Sequence, residues 1–153
     1  MSPTRSPLRP SSPLSRGPVP LVLTVVTVLG LAYDAKAHLH LAPVYDAVGT
    51  SITQGGLFRV EAAAALIAAV AVLLLDDRRV WLAVGLVGLG GVAAVVLYRY
   101  VNVPAIGPIP SMYEPIWFGE KTTSAYAEGL VVVAAITREA LRGRRISAAS
   151  AVG

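Results

Sequence analysis

LFRVEAAAALIAAVAVLLL, residues 57–75, leads through DDRR, residues 76–79, into VWLAVGLVGLGGVAAVVLYRY, residues 80–100. Each apolar run has about the 20 residues a helix needs to cross a hydrocarbon core about 30 Å thick. Neither run alternates polar and apolar positions, and backbone in lipid must pair internally as a helix or a closed barrel, so both read as spanning helices. Two further runs, residues 19–41 and 122–140, flank this pair and are bounded by charge in the same way. The reading is all-α: a four-helix transmembrane bundle over residues 19–141. A disordered Pro-, Ser- and Arg-rich tail, residues 1–18, precedes it, and a polar tail, residues 142–153, follows.

Composition agrees. Of 153 residues, 55% are hydrophobic and 14% charged, and the mean hydropathy of +0.65 is too high for a soluble domain of this size. Four spans and their loops leave no room for a separate soluble catalytic module. The absence of cysteine excludes disulfides, thiolate metal sites and thiol catalysis. A net charge of +4 would suit a nucleic-acid partner, but the basic residues sit at span ends, where membrane topology accounts for them. No nucleic acid is expected.

Arg5, Arg9, Arg16, Arg78, Arg79, Arg138, Arg142, Arg144 and Arg145 fall on one side of the four spans, and Lys36, Arg59, Arg99 and Lys121 on the other. The positive-inside rule then places both termini in the cytoplasm of a multi-pass plasma-membrane protein. A competing reading takes the Arg-rich start, the apolar run 21–31 and Ala35-Lys36-Ala37 as a secretory signal with an A-x-A cleavage site. Continuation of the run to Leu41, with Asp34 and Lys36 at the would-be site, favours a full-length span.

Small residues allow close helix approach in lipid, where no hydrophobic force drives association. Ala64/Ala68 and Ala65/Ala69 in the second span have this spacing, as do Gly90/Ala94 in the third, beside Gly85, Gly88 and Gly91. Such faces build a tight bundle or bind a second membrane protein or copy.

An ionisable residue at mid-membrane costs about 2.5–3.5 kcal/mol on insertion scales and faces protein or water. Asp34 lies roughly 10 Å short of the outer end of the first span, with His38 at i+4 on the same face. Glu61 falls about one turn into the second span. Arg99 closes the third, and Glu128 sits in the fourth with Lys121 and Ser124 on its face. These residues form a candidate ligand pocket in the outer-leaflet half: Asp34, His38, Glu61, Arg99 and Glu128. Asp34, His38, Glu61 and Glu128 could also furnish an oxygen/nitrogen metal site of the kind built between facing helices; His40, at i+2, points away. The plainer alternative is internal pairing, Asp34 or Glu61 with Arg99 or Arg59 and Glu128 with Lys121, because buried charges are normally paired.

The loop 101–121 carries Pro104, Pro108, Pro110 and Pro115 with Tyr113, Trp117 and Phe118. Prolines stiffen it while denying it regular structure. It reads either as an aromatic flap over the pocket or as an interfacial segment resting on lipid.

The pattern resembles the small four-span membrane proteins common in high-GC actinobacteria, on the segment Tyr33-Asp34-Ala35-Lys36-Ala37-His38-Leu39 and on the Pro-aromatic loop leading into Glu120-Lys121. A looser similarity to DoxX-like four-helix membrane proteins rests on span number and size. Neither resemblance implies a functional residue. No Gly-rich phosphate loop, G-x-S-x-G elbow or H-E-x-x-H helix occurs, so no enzyme, catalytic residue or cofactor is expected. The expected role is an accessory or scaffold protein of the bilayer. The alternative is a protein that binds or transports a small ligand, proton or metal.

Overall fold

Helix starts and stops follow local chemistry. The computed structural model describes residues 17–150. Pro18 opens α1 (Pro18–Leu41), at a position where its missing N–H costs nothing. Pro43 ends it, and the chain tightens into a 3-10 turn over Ala42–Tyr45. Thr53 caps α2 (Gln54–Leu74), its Oγ1 accepting from the Gly56 N–H at 2.9 Å. Asp77 caps α3 (Arg78–Tyr100) by accepting from the Arg79 N–H at 2.7 Å. The last helix, α4 (Gly119–Ser150), is the longest.

Each helix packs on the next in sequence and α4 returns to α1, closing a four-helix ring. Neighbours run antiparallel. Gly91 faces Glu128 while Gly85 faces Ala135, and Asp34 meets Ser124 while Gly30 faces Val131. Small residues set the spacing: Ala62, Ala65, Ala68 and Ala69 of α2 are buried in the core with Leu31, Val72, Val84 and Val131. Ala65, Ala69, Gly88 and Gly91 are thus used inside the bundle, whereas Gly90 is exposed. Its outside is apolar, with Ile67 (70% exposed), Leu74, Leu86 and Ile136 turned away from the core, the surface a bilayer accepts and water does not.

Among the described residues, three helices are long and apolar enough to cross a membrane: α1 with its following turn, α2 and α3. The fourth carries Glu120, Lys121, Glu128, Arg138 and Glu139, and it buries the polar ones that matter, Lys121, Ser124, Glu128 and Arg138. Its outward face, Tyr126, Leu130, Val133 and Ile136, is apolar and exposed.

Three boundaries differ from the sequence reading, α4 starting at Gly119 and not at residue 122. α2 begins at Gln54, so Glu61 stands about two turns inside it, not one. α4 continues to Ser150, through most of the expected C-terminal tail. An apolar run ends where the membrane ends, but a helix continues through Ala, Leu and Arg, which all favour it. Most of the N-terminal tail and residues 151–153 lie outside the described residues.

The longer connections share one end of the bundle. In residues 42–53, Asp46 grips Arg59 of α2 through two hydrogen bonds of 2.6 and 2.7 Å, which hold the Asp46 carboxyl below its ordinary value. Residues 101–118 fold back on themselves, with reciprocal backbone bonds between Val103 and Met112 and between Ile106 and Ile109. Gly107, at φ 57°, and Pro108 form the tip, glycine coming first as in two-residue hairpin turns. The loop is therefore partly paired despite its prolines, and Pro110, lacking an N–H, interrupts the pairing.

Candidate functional site

Helical periodicity alone makes two polar pairs, Asp34/His38 on α1 and Ser124/Glu128 on α4, each one turn apart. Antiparallel packing brings the pairs together. His38 Nδ1 lies 3.0 Å from Asp34 Oδ1, and the Ser124 hydroxyl lies 2.6 Å from the same oxygen and 3.3 Å from Glu128 Oε1. A hydroxyl has one hydrogen, which the shorter contact assigns to Asp34. Both Ser124 contacts are hydrogen bonds only when Glu128 itself carries a proton.

Glycines make this approach possible. A methyl group at Gly30 would lie 2.8 Å from Val131 Cγ2, and one at Gly91 would lie 2.4 Å from Glu128 Cδ and Oε1. The Glu128 carboxyl thus occupies the space a side chain at position 91 would fill. Glu128 is only 2% exposed, and among the described residues its Oε2 has no hydrogen-bond partner.

Above these residues is a cavity of about 220 Å³ whose walls include His38, Tyr45, Phe58, Glu61, Tyr98 and Phe118. For scale, an engineered apolar cavity of about 150 Å³ holds benzene. Phe58 packs edge-on against both His38 and Tyr45, with ring centres 5.3 and 5.1 Å apart. Glu61 presents a buried Oε1 that has no hydrogen-bond partner among the described residues.

The loop 101–118 caps this cavity through Met112, Glu114 and Phe118. Glu114 fastens it: its carboxylate accepts from the Tyr45 hydroxyl at 2.9 Å, its N–H donates to the Tyr98 carbonyl at 2.9 Å, and its own carbonyl accepts from Lys121 Nζ. Of the loop aromatics, only Phe118 borders the cavity. Met112 and Phe118 cover the cavity, whereas Tyr113 and Trp117 are exposed.

Of the expected pocket residues, Asp34, His38 and Glu128 converge, and Glu61 faces the cavity beside them. Arg99 does not join them. Its guanidinium stacks on Tyr100 at 5.2 Å, and among the described residues it forms no ion pair with Asp34, Glu61 or Glu128. The helix rise explains this, since Glu128 sits opposite Gly91, about 12 Å along α3 from Arg99. The alternative pairings are not made either: Arg59 turns to Asp46, and Lys121 to the Glu114 and Ile116 carbonyls.

Two features escaped the sequence reading. Glu114 is a single carboxylate in a proline-rich loop, and no spacing marks it. At the opposite end of the bundle, Asp76 accepts from Arg138, from Arg142 at 3.0 Å and from Trp81 Nε1 at 3.2 Å. Glu139 lies 3.5 Å from both Arg78 and Arg142. The i,i+4 spacing of Arg138 and Arg142 was the available signal, but the charge count absorbed both into topology.

No family model matches the chain, and neither the curated proteins nor the solved structures contain a match.

Proposed function

We propose that this multi-pass membrane protein binds a small molecule in the capped cavity, one with an apolar body and a positively charged or hydrogen-donating end. One observation carries the reading: Glu61 Oε1 is buried without a hydrogen-bond partner among the described residues, in the wall of a cavity otherwise lined largely by aromatic and aliphatic side chains. An acceptor in such a wall costs free energy unless something donates to it, and aromatic faces favour cations. Scaffolding through the Ala and Gly faces has less support, because Ala65, Ala68, Ala69, Gly88 and Gly91 pack inside the bundle.

The probes that test the reading are benzylammonium and benzyl alcohol, which share a ring and differ in charge. Benzylammonium should raise the melting temperature of the detergent-solubilised protein more than benzyl alcohol does, and Glu61→Gln should remove the difference. Equal shifts from both, or none from either, would overturn it.

The same proposal places the protein in the plasma membrane with four spans and both termini in the cytoplasm, alongside the small actinobacterial proteins it resembles. Its support is the distribution of arginine, together with the apolar outer face of α4. Reporter fusions after Gly153 and within residues 76–79 should read cytoplasmic, and fusions near Thr50 and Gly107 exterior. An exterior C-terminus would reverse the orientation.

A further inference from the structure

We propose that Asp34, His38 and Glu128 form a binding site for a divalent first-row transition ion, held between α1 and α4. One ligand atom from each residue lies within 4.8 Å of the others. Metal–ligand bonds of about 2.0–2.2 Å place neighbouring ligand atoms about 3–4 Å apart, so small side-chain adjustments close the set around an ion. Two carboxylates and an imidazole suit zinc, iron or cobalt better than calcium or magnesium, which prefer all-oxygen sites.

Burial makes this more than a cluster of acids. Asp34 and Glu128 are 1% and 2% exposed, and carboxyl groups so placed, once ionised, are paired or coordinate metals. His38 Nδ1 lies 3.0 Å from Asp34 Oδ1, while among the described residues Glu128 Oε2 has no hydrogen-bond partner. A divalent ion would balance both carboxylates at once. Ser124 completes the arrangement: its hydroxyl donates to Asp34 Oδ1 and orients that ligand, the outer support that metal sites commonly carry. Entry is available from the cavity, whose wall includes His38 and Ser124. His38 borders both sites, but the two proposals can be told apart, since Asp34 and Glu128 do not line the cavity and Glu61 lies outside the metal set.

The test uses Co²⁺, whose visible spectrum reports its ligands, on full-length protein in detergent, without affinity histidines and stripped with chelator. Wild type should bind one equivalent with visible d–d absorption, and Zn²⁺ should displace it. Glu128→Gln, nearly isosteric, should weaken binding at least tenfold, Ser124→Ala about 10–100-fold, and Glu61→Gln little. Circular dichroism and gel filtration establish that each variant is folded. Absence of saturable Co²⁺ binding to wild type overturns the proposal without reference to any variant. So does a folded Glu128→Gln that binds as tightly as wild type, which would leave a protonated Glu128 as the partner of Ser124. A benzylammonium response that survives either failure would leave the cavity reading standing.

Discussion

Asp76→Ala should lower the unfolding free energy of the detergent-solubilised protein by about 3–5 kcal/mol, the usual cost of removing one partner from a buried ion pair. Asp76 and Arg138 have side chains 1% and 4% exposed, so water cannot replace the lost carboxylate. Arg138, Arg142 and Trp81 Nε1 are among the donors that depend on it. Arg138 also stacks on the Trp81 ring at 5.9 Å, which keeps its charge at the site after the substitution. Asp76→Asn should cost less, because its amide oxygen still accepts one hydrogen bond and its shape is preserved. Arg78→Ala, whose side chain is 71% exposed, should cost less than about 1 kcal/mol. Denaturant unfolding curves in one detergent rank the three. Equal losses for Asp76→Ala and Arg78→Ala would show that the clamp contributes nothing beyond surface charge.

Gly91→Ala should strain the contact between α3 and α4 directly. Its Cβ would lie 2.4 Å from the Glu128 carboxyl carbon, so α3 and α4 must separate or Glu128 must leave its place between Ser124 and α3. Overpacking of this kind costs about 1–3 kcal/mol, and here it also displaces a buried carboxyl group. Gly90→Ala, one residue away, meets nothing within 4 Å and should be neutral within about 0.5 kcal/mol. Combining Gly91→Ala with Glu128→Ala removes the obstructing carboxyl, so the pair should lose less than the sum of the singles, with a coupling of about 0.5–3 kcal/mol. Strictly additive losses would mean that Glu128 does not occupy the Gly91 notch.

Local signals made the architecture legible. The number and approximate extent of the helices follow from run lengths set by bilayer thickness, and from breaks at Pro43, at residues 76–79 and in the loop 101–118. The polar pairs were also legible within each helix, since one turn separates Asp34 from His38 and Ser124 from Glu128 whatever surrounds them. Which pairs meet was not. Asp34 and Ser124 are 90 positions apart, and their contact depends on the rotation and register of α1 against α4, set where Gly30 faces Val131. The same register keeps Arg99 away from the acids, although charge matching alone had paired them. Tertiary structure also gave Arg138 its role: a rim charge in the sequence, it is buried because α4 turns that face toward Asp76. Glu114 shows the limit most plainly, for it reaches Tyr45, 69 positions earlier, only because the loop folds back over the bundle. Apolar run length is a property of one segment and can be read from it. A polar site between helices belongs to their relative rotation, which the packed glycines and alanines of all four helices decide together.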